Sequence, residues 1–370
     1  MTEAEVPPPE EIILYEKDPI TRIATITLNR PDQLNIPTIA ARRRYADLIF
    51  KASIDDDVKV LVIRGIGDHL GTGADLDEVM SKQAEGRVLW DELGLGEEDD
   101  VTMPPQRSYR AGASLLHWYG NVRSGCRSLQ DFKKISILEV KGYCYGWHFY
   151  QAGDADIVIS SDDALFGHPA FRYVGWAPRM WQWATMMGLR KFQEMVFTGR
   201  PFTAKEMYEC NFVNSVVRRE DLQAEVDKYA RACARTRPTD TVFLQKVFFE
   251  IYKQQQGEYM GSMLSAWLES MGGQARNDVD GKRANLSMET MDAGLNVAVK
   301  DNDSAYPPEW RLSRSGRRRP ETTRTWRRTT AAGRKAPSTR RHSAGSASSI
   351  SPRGSVVVTA PSSCPTVARR

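Results

Sequence analysis

Two glycine-containing stretches decide the fold of this chain: HLGTGADL at residues 69–76 and VKGYCYGWH at residues 140–148. Each follows an apolar run typical of a buried strand, at residues 60–63 and 135–140, and each precedes a helix-like segment. The first backbone N–H groups of a helix have no partner within that helix, so two such turns facing one another can hold one oxygen anion. The pair of stretches therefore predicts an anion-binding site built from main-chain donors.

The flanking motifs occur in an order that resembles the crotonase (enoyl-CoA hydratase/isomerase) superfamily over residues 11–310. The motifs are TLNRP with LN at 27–35, GAD at 73–75, VKGY at 140–143, FGHP at 166–169, TGRPFTA at 198–204 and FVN at 212–214. This resemblance implies an α/β fold, a crotonase-like spiral of ββα units followed by a C-terminal helical trimerisation region. It also implies an acyl-CoA substrate, with no cofactor beyond the coenzyme A that the substrate carries.

The resemblance assigns roles to several residues of the two stretches. In the family, N–H groups at the positions matching Ala74 and Trp147 form an oxyanion hole for the thioester oxygen. Most relatives carry Gly at the Trp147 position, but only the N–H is needed, so the indole is expected to turn away from the pocket or to form one wall. The implied coenzyme A contacts are Asn35, Ile36, Thr72, Asp75 and Leu76.

The proton-transfer residues are the point where this chain departs from the family. Family hydratases use two glutamates, and the matching positions here are Tyr150 and Ala170. A methyl group accepts no proton, so the two-carboxylate mechanism is in doubt. The candidate catalytic replacements are His148, Tyr150 and Asp154, with Tyr150 favoured, and His168 and Arg172 flank the Ala170 position as further candidates. The alternatives are a wall position for His148, a turn-stabilising role for His168 and a supporting acid at Asp154.

Three functions follow from this sequence. An enoyl-CoA hydratase/isomerase-like reaction on a bulky or cyclic acyl group, through an enolate held in the oxyanion hole, has the weight of the resemblance. A C–C bond hydrolase acting on a β-keto or cyclic diketone thioester is the first alternative, with His148 and Asp154 as its side chains. A catalytically silent homologue that binds CoA esters or RNA is the second.

Pattern and composition divide the chain into segments. Residues 1–11 are expected to be a flexible N-terminus, 12–217 the spiral core, 218–310 the helical region and 311–370 a disordered Arg/Ser-rich tail. Within the core, residues 82–134 are long for the family and rich in aromatics. That insert predicts a lid over the acyl pocket, the alternative being a segment that packs on a partner.

Local patterns predict the elements around the motifs. Residues 12–28 predict a hairpin, 38–52 a helix and 58–64 a buried strand. Residues 176–187 hold three Trp and three Met, which favours a core or trimer-interface helix over a pocket. Three amphipathic helices are expected between residues 222 and 271.

Charge, cysteine count and hydropathy limit the function further. The chain has a net charge of +4, but residues 311–370 hold 15 basic residues and one acid, which leaves −10 for residues 1–310. Nucleic acid is therefore expected to bind only non-specifically, through the tail. Five cysteines without CxxC spacing argue against a disulfide framework and a zinc site. No run is long enough to span a membrane, and a cytoplasmic location is expected. The family resemblance implies a homotrimer or a dimer of trimers.

Overall fold

The computed structural model describes residues 6–75, 97–102, 126–173, 175–271 and 294–317, together with Glu78, Leu95 and Pro105. The strands are β1 (Ile13–Asp18), β2 (Ile23–Leu28), β3 (Val60–Gly65), β4 (Ile135–Val140), β5 (Tyr143–Tyr145), β6 (Ile157–Ser161), β7 (Leu165–Gly167), β8 (Phe202–Thr203) and β9 (Ser215–Val217). The helices are α1 (Pro9–Ile12), α2 (Ile39–Ile54), α3 (Trp147–Asp154), α4 (Ala170–Tyr173), α5 (Met180–Met187), α6 (Leu189–Thr198), α7 (Ala204–Glu209), α8 (Leu222–Arg235), α9 (Thr239–Gln255), α10 (Glu258–Met271) and α11 (Leu295–Ser304).

The strands form two sheets whose connections produce the expected spiral. The larger sheet has the order β1-β2-β3-β4-β6-β9, and every neighbouring pair except β1 and β2 is parallel. The smaller sheet has the order β5-β7-β8. Along the chain, β4-β5-α3 and β6-β7-α4 are consecutive ββα units in which each unit gives one strand to each sheet. The predicted α/β spiral is confirmed in this part of the chain.

The local predictions at the start of the chain are also confirmed. β1 and β2 pair antiparallel as a hairpin, with Ile13 opposite Leu28 and Asp18 opposite Ile23. Thr38 caps α2, since its hydroxyl accepts a hydrogen bond from Ala41 N at 3.1 Å. α2 then buries one apolar face against the sheet, and its fully buried Tyr45 reaches α3 of the β4-β5-α3 unit.

The hydrophobic core lies on both faces of the larger sheet. On one face Leu61, Ile63 and Leu138 pack in the main cluster with residues of α2, α3 and α5. On the other face Val62 and Ile137 belong to a second cluster that is closed by α8. Because the parallel strands are covered on both faces, their sequences are nearly continuous apolar runs.

The end of the insert belongs to the core rather than to a lid. Cys126, Leu129 and Phe132 are each 1% exposed and join the main cluster. The lid prediction is therefore wrong for residues 126–134. For residues 82–125 it falls almost entirely outside the described residues.

The C-terminal helices α8, α9 and α10 occur where the sequence predicts them, but the predicted start of the tail at residue 311 is wrong. Residues 311–317 lie on the smaller sheet. Tyr145 Oη donates to Leu312 O at 2.7 Å, and Arg314 N donates to Tyr143 Oη at 3.0 Å. Leu312 is buried against this sheet. The composition of residues 311–317 alone suggests disorder, but these hydrogen bonds attach the segment to β5. Residues 318–370 are not among those described.

Candidate active site

The two glycine turns lie against each other in the folded chain. The first turn runs beside β5, since Gly71 N donates to Tyr143 O at 2.8 Å and Tyr145 N donates to Gly71 O at 3.0 Å. A methyl group placed on Gly73 would lie 3.7 Å from Gly146 Cα and 4.0 Å from Trp147 N. The backbones of the two turns are therefore in van der Waals contact at the glycines that precede Ala74 and Trp147.

Gly146 is required by both its conformation and its surroundings. Its φ and ψ are 55° and −121°, a combination that residues with a Cβ rarely adopt. A Cβ at this position would also stand 3.0 Å from Gly73 Cα. Trp147, the next residue, begins α3, so its N–H is among the first donors of that helix.

The side chain of Trp147 turns away from the junction of the two turns. It is 2% exposed, and its ring meets the ring of Tyr45 on α2 edge to face, with 4.9 Å between centroids. Tyr45 Oη in turn donates to Gln151 Oε1 at 2.9 Å. The indole thus fills the core beneath α3, and the large residue leaves its backbone N–H on the side of the turns.

His148 bridges the two turns with its ring. Nδ1 accepts a hydrogen bond from Gly73 N at 3.1 Å, and Nε2 lies 3.1 Å from Asn35 O, to which it donates. Burial of the whole residue lowers its pKa to about 3, so the ring is neutral. Both ring nitrogens are engaged with backbone groups. This arrangement favours a positioning role over the acid–base role suggested by the sequence.

Asn35 adopts a left-handed conformation, with φ at 54°, and ties the loop before α2 to the first turn. Its side-chain amide donates to Ile66 O at 2.9 Å and to His69 O at 2.8 Å, and it accepts from Arg30 N at 2.9 Å. A buried Asn with three backbone partners fixes the path of both segments.

Arg30 links two more of the predicted coenzyme A contacts, Ile36 and Asp75, beside the first turn. Its Nη1 donates to Ile36 O at 3.1 Å and to Asp75 Oδ2 at 2.8 Å. The carbonyl oxygen of Thr72 faces Gly146, 3.7 Å from where a Cβ would stand on that glycine. Leu76, the last predicted contact, lies outside the described residues.

Tyr150 lies in the first turn of α3 and pairs with a histidine from the next ββα unit. Its N–H donates to Gly146 O at 3.2 Å, and its Oη is 3.0 Å from His168 Nε2. His168 Nδ1 accepts from Ala170 N at 3.2 Å. Ala170 therefore supplies a backbone donor at the position where the family carries a glutamate.

The backbone contact decides the tautomer of His168. Burial lowers the pKa of this residue to about 3, so the ring carries one proton. A backbone N–H can only donate, so Nδ1 has a lone pair and the proton is on Nε2. His168 is then the donor to Tyr150 Oη, and the hydroxyl proton of Tyr150 takes no part in that bond.

Aromatic rings surround the Tyr150–His168 pair. The centroid of Trp183 on α5 is 5.6 Å from the ring of each, and Phe171 is 5.5 Å from His168. Trp183 is fully buried, and its Nε1 donates to Phe149 O at 3.2 Å. The sequence predicts a core or trimer-interface position for this helix; Trp183 lies in the core, and the same ring also forms one wall around the pair.

Asp154 occupies the end of α3 and is engaged in a buried ion pair. Its carboxylate accepts from Arg179 and from Gln130, and all but 2% of the residue is buried. Arg179 continues the network to Glu258 on α10 at 3.3 Å, and Glu258 also pairs with Arg127 at 2.6 Å. These contacts favour the supporting role for Asp154 and argue against its acting on substrate.

The sequence favours a turn-stabilising role for His168, and the structure makes this residue a stronger candidate. The HPA run at 168–170 places it two residues before the matched position, and a short turn brings its ring to that place. The signal was a titratable side chain in the immediate neighbourhood of a lost carboxylate. The short distance from His168 to Tyr150 is what distinguishes a role at the site from a role in stabilising the turn alone.

Comparisons with known proteins agree with the fold. The family model for enoyl-CoA hydratase/isomerase matches residues 113–269. The mevalonyl-coenzyme A hydratase sidH of Aspergillus fumigatus is 27% identical over 226 residues, which cover 60% of this chain and 72% of that protein. Enoyl-CoA delta isomerase 2 of Rattus norvegicus is 28% identical over 221 residues, covering 58% of this chain and 49% of the isomerase.

Solved structures show the same architecture. An enoyl-CoA hydratase from Mycobacterium smegmatis superposes with a TM-score of 0.64 at 23% identity, covering 80% of this chain and 95% of that one. An enoyl-CoA hydratase/isomerase from Xanthobacter autotrophicus gives 0.58 at 21% identity, covering 80% and 98%. In its fold and over residues 113–269 of its sequence, the chain is similar to the enoyl-CoA hydratase/isomerase family.

Among the described residues, no group of three or more His, Cys, Asp or Glu side chains is arranged to hold a metal ion. Nor does any described helix have the length and apolar character needed to cross a membrane.

Proposed function

We propose that this protein binds an acyl-CoA thioester and stabilises its enolate between the N–H groups of Ala74 and Trp147. The observation that carries the proposal is the contact of the two turns at Gly73 and Gly146. Donors held in place before the reaction stabilise a developing oxyanion more than water does, because they need no reorganisation. His148 supports this arrangement as a fixed bridge, since it holds Gly73 N from the helix that Trp147 begins.

A bulky or cyclic acyl group remains the substrate class we favour. The ring of Trp183 beside Tyr150 and that of Phe171 beside His168 support it, since flat apolar walls pack well against rings and branched chains. The similarity to a protein described as a mevalonyl-coenzyme A hydratase points in the same direction. Apart from the coenzyme A of the substrate, no cofactor is part of the proposal.

The contacts of the site weigh against the C–C bond hydrolase. That reaction was assigned to His148 and Asp154, but one has both nitrogens bonded to backbone and the other is paired with a buried arginine. Neither is placed to act on a thioester. The silent homologue remains as the alternative that the experiment below addresses.

The C-terminal helices support the proposed homotrimer or dimer of trimers. α9 and α10 carry exposed large apolar side chains, among them Leu244, Phe248, Met260 and Leu264, each more than half exposed. Helical faces this apolar are usually covered in the assembled protein. The tail is left without a specific partner in this proposal.

Exchange of the α-hydrogen tests the enolate directly. The full-length protein is incubated in D₂O with phenylacetyl-CoA or hexanoyl-CoA, and deuterium uptake is followed by mass spectrometry. We expect uptake into at least one thioester. Hydration of a trans-2-enoyl-CoA in ¹⁸O-labelled water then distinguishes hydratase chemistry from isomerisation. Binding of both thioesters with neither uptake nor hydration would favour the silent homologue.

The matched variants are Gly146→Ala and Gly257→Ala. Both glycines have a positive φ, 55° and 84°, so both substitutions introduce backbone strain. Only Gly146→Ala also places a Cβ against the facing turn, because nothing lies within 4 Å of the corresponding position at Gly257. Displacing one donor of the hole should lower the exchange rate on the order of 100-fold or more. Gly257→Ala should leave the rate of exchange nearly unchanged.

A further inference from the structure

We propose that Tyr150 transfers the α-proton and that His168 is the residue that positions and stabilises its oxygen, an inference that rests on the proposed enolate function. Tyr150 stands three residues after Trp147 in the first turn of α3, and its N–H bonds to Gly146 O. The same short helical turn thus carries a donor of the hole and the phenol. No carboxylate stands at either of the two positions matching the family's glutamates.

The direction of the hydrogen bond gives His168 a defined task. Because Ala170 N donates to Nδ1, the single ring proton is on Nε2 and points at Tyr150 Oη, 3.0 Å away. A donor that faces a phenol oxygen stabilises the phenolate more than the neutral phenol, since hydrogen bonds to a charged acceptor are stronger. His168 therefore makes Tyr150 a stronger acid than a phenol buried among rings alone.

The proton transfer balances within these groups. When the enolate is protonated, its electron pair forms the new C–H bond at the α-carbon and the O–H bond of Tyr150 breaks. The negative charge passes to Tyr150 Oη, where the Nε2–H of His168 holds it. In the opposite direction the phenolate removes the α-proton and the electron pair moves into the enolate. His168 keeps its proton throughout, because losing it would leave an imidazolate with Nδ1 already unprotonated.

The residues around Tyr150 and His168 favour the hydrogen bond from His168 Nε2 to Tyr150 Oη. Trp183 and Phe171 pack around the His168 ring, so water does not compete for its Nε2–H. Asp154, one helical turn after Tyr150 on α3, is paired with Arg179, the residue that precedes α5, so the two charges neutralise each other. Tyr150 keeps 7% of its surface exposed, so the residue is not fully enclosed.

Substitutions of Tyr150 and His168 test the two roles separately in the α-exchange assay. Tyr150→Phe should lower the exchange rate at saturating thioester about 100-fold or more while the affinity for the thioester stays within about twofold. At His168 the matched pair is Gln and Asn. The amide nitrogen of Gln reaches the place of Nε2 and keeps the donor to Tyr150. Asn reaches only the place of Nδ1 and keeps the contact to Ala170 N.

The two amides therefore separate positioning of the phenol from stabilisation of the turn. We expect His168→Asn to lose about 10- to 100-fold in rate, the worth of a hydrogen bond to a charged group, and His168→Gln to recover most of that loss. Urea unfolding and thioester binding are measured alongside, so that a folding defect in either variant is recognised.

Each result of the experiment bears on the inference. Wild-type-like exchange by a folded Tyr150→Phe would overturn the role of Tyr150 and leave the oxyanion hole standing. Equal rates in the Gln and Asn variants would overturn the role of His168 alone. Absence of exchange in the wild type, with the Gly146→Ala variant indistinguishable from it, would overturn the proposed function and this inference together.

Discussion

Two buried histidines, His148 and His168, have the same protonation state but different kinds of hydrogen-bond partner. Burial lowers the pKa of each to about 3, so both are neutral. His148 meets Gly73 N and Asn35 O, both backbone groups of distant loops. His168 meets one backbone N–H and the oxygen of a titratable side chain, Tyr150. The comparison teaches that a perturbed pKa alone does not identify a catalytic histidine; the partners of its two nitrogens do.

The largest expected difference between the surroundings of His148 and those of His168 is in their contribution to the free energy of unfolding. His148→Leu leaves Gly73 N–H and Asn35 C=O buried without their partner, at about 1–3 kcal/mol for each. We expect the free energy of unfolding to fall by about 4 kcal/mol, and by about half as much for His168→Leu, which leaves only one backbone group without a partner. Urea unfolding of both variants measures the difference. Equal losses would mean that the two regions do not differ in their structural role.

Asp154 on the same helix extends the comparison to a third candidate. Asp154→Asn weakens its buried pair with Arg179, which we expect to cost about 3 kcal/mol of unfolding free energy. The matched control is Asp131→Asn, whose partner Lys133 lies 3.0 Å away in an exposed pair worth less than about 1 kcal/mol. The rate of α-exchange should change little in either variant. A loss of rate without a loss of stability at Asp154 would restore it as a catalytic candidate.

Acid should destabilise both histidine regions. The folded-state pKa of each histidine, about 3, lies below the unfolded value of 6.5, so the unfolded chain binds more protons between these two pH values. Stability therefore falls as the pH drops below about 6.5, and each residue accounts for roughly 2 kcal/mol by pH 5. Unfolding of the wild type and His148→Gln at pH 7 and pH 5 measures this contribution. An unchanged pH dependence in the variant would contradict the assigned protonation state.

The smallest expected change in stability comes from a substitution of Trp183, whose ring packs beside His168. Trp183→Phe keeps an aromatic ring but removes the hydrogen bond from Nε1 to Phe149 O, worth about 1 kcal/mol. We expect that loss of stability together with a rise in KM for phenylacetyl-CoA that exceeds the rise for hexanoyl-CoA. The bridge at His148 should not be affected. Equal changes in KM for the two thioesters would show that Trp183 does not contact the acyl group.

Much of the fold could be predicted because its signals are local. The hairpin, the helix capped by Thr38 and the apolar parallel strands follow from periodicity and capping. The two glycine turns follow from strand-to-helix punctuation, and the family motifs place them in order. The predictions that failed, at residues 126–134 and 311–317, concern segments whose burial depends on contacts far away in sequence. Composition records none of those contacts.

The sequence by itself determined the order of elements, the two backbone turns and the loss of both family glutamates. Tertiary structure alone decided that Trp147 turns its indole toward Tyr45 and that His148 bonds only to backbone. It also decided that His168 reaches Tyr150. The physical reason is that a ring nitrogen acquires its role from the partner it meets. Packing between elements, rather than the neighbouring residues, brings Gly73 and Asn35 to one histidine and Tyr150 to the other.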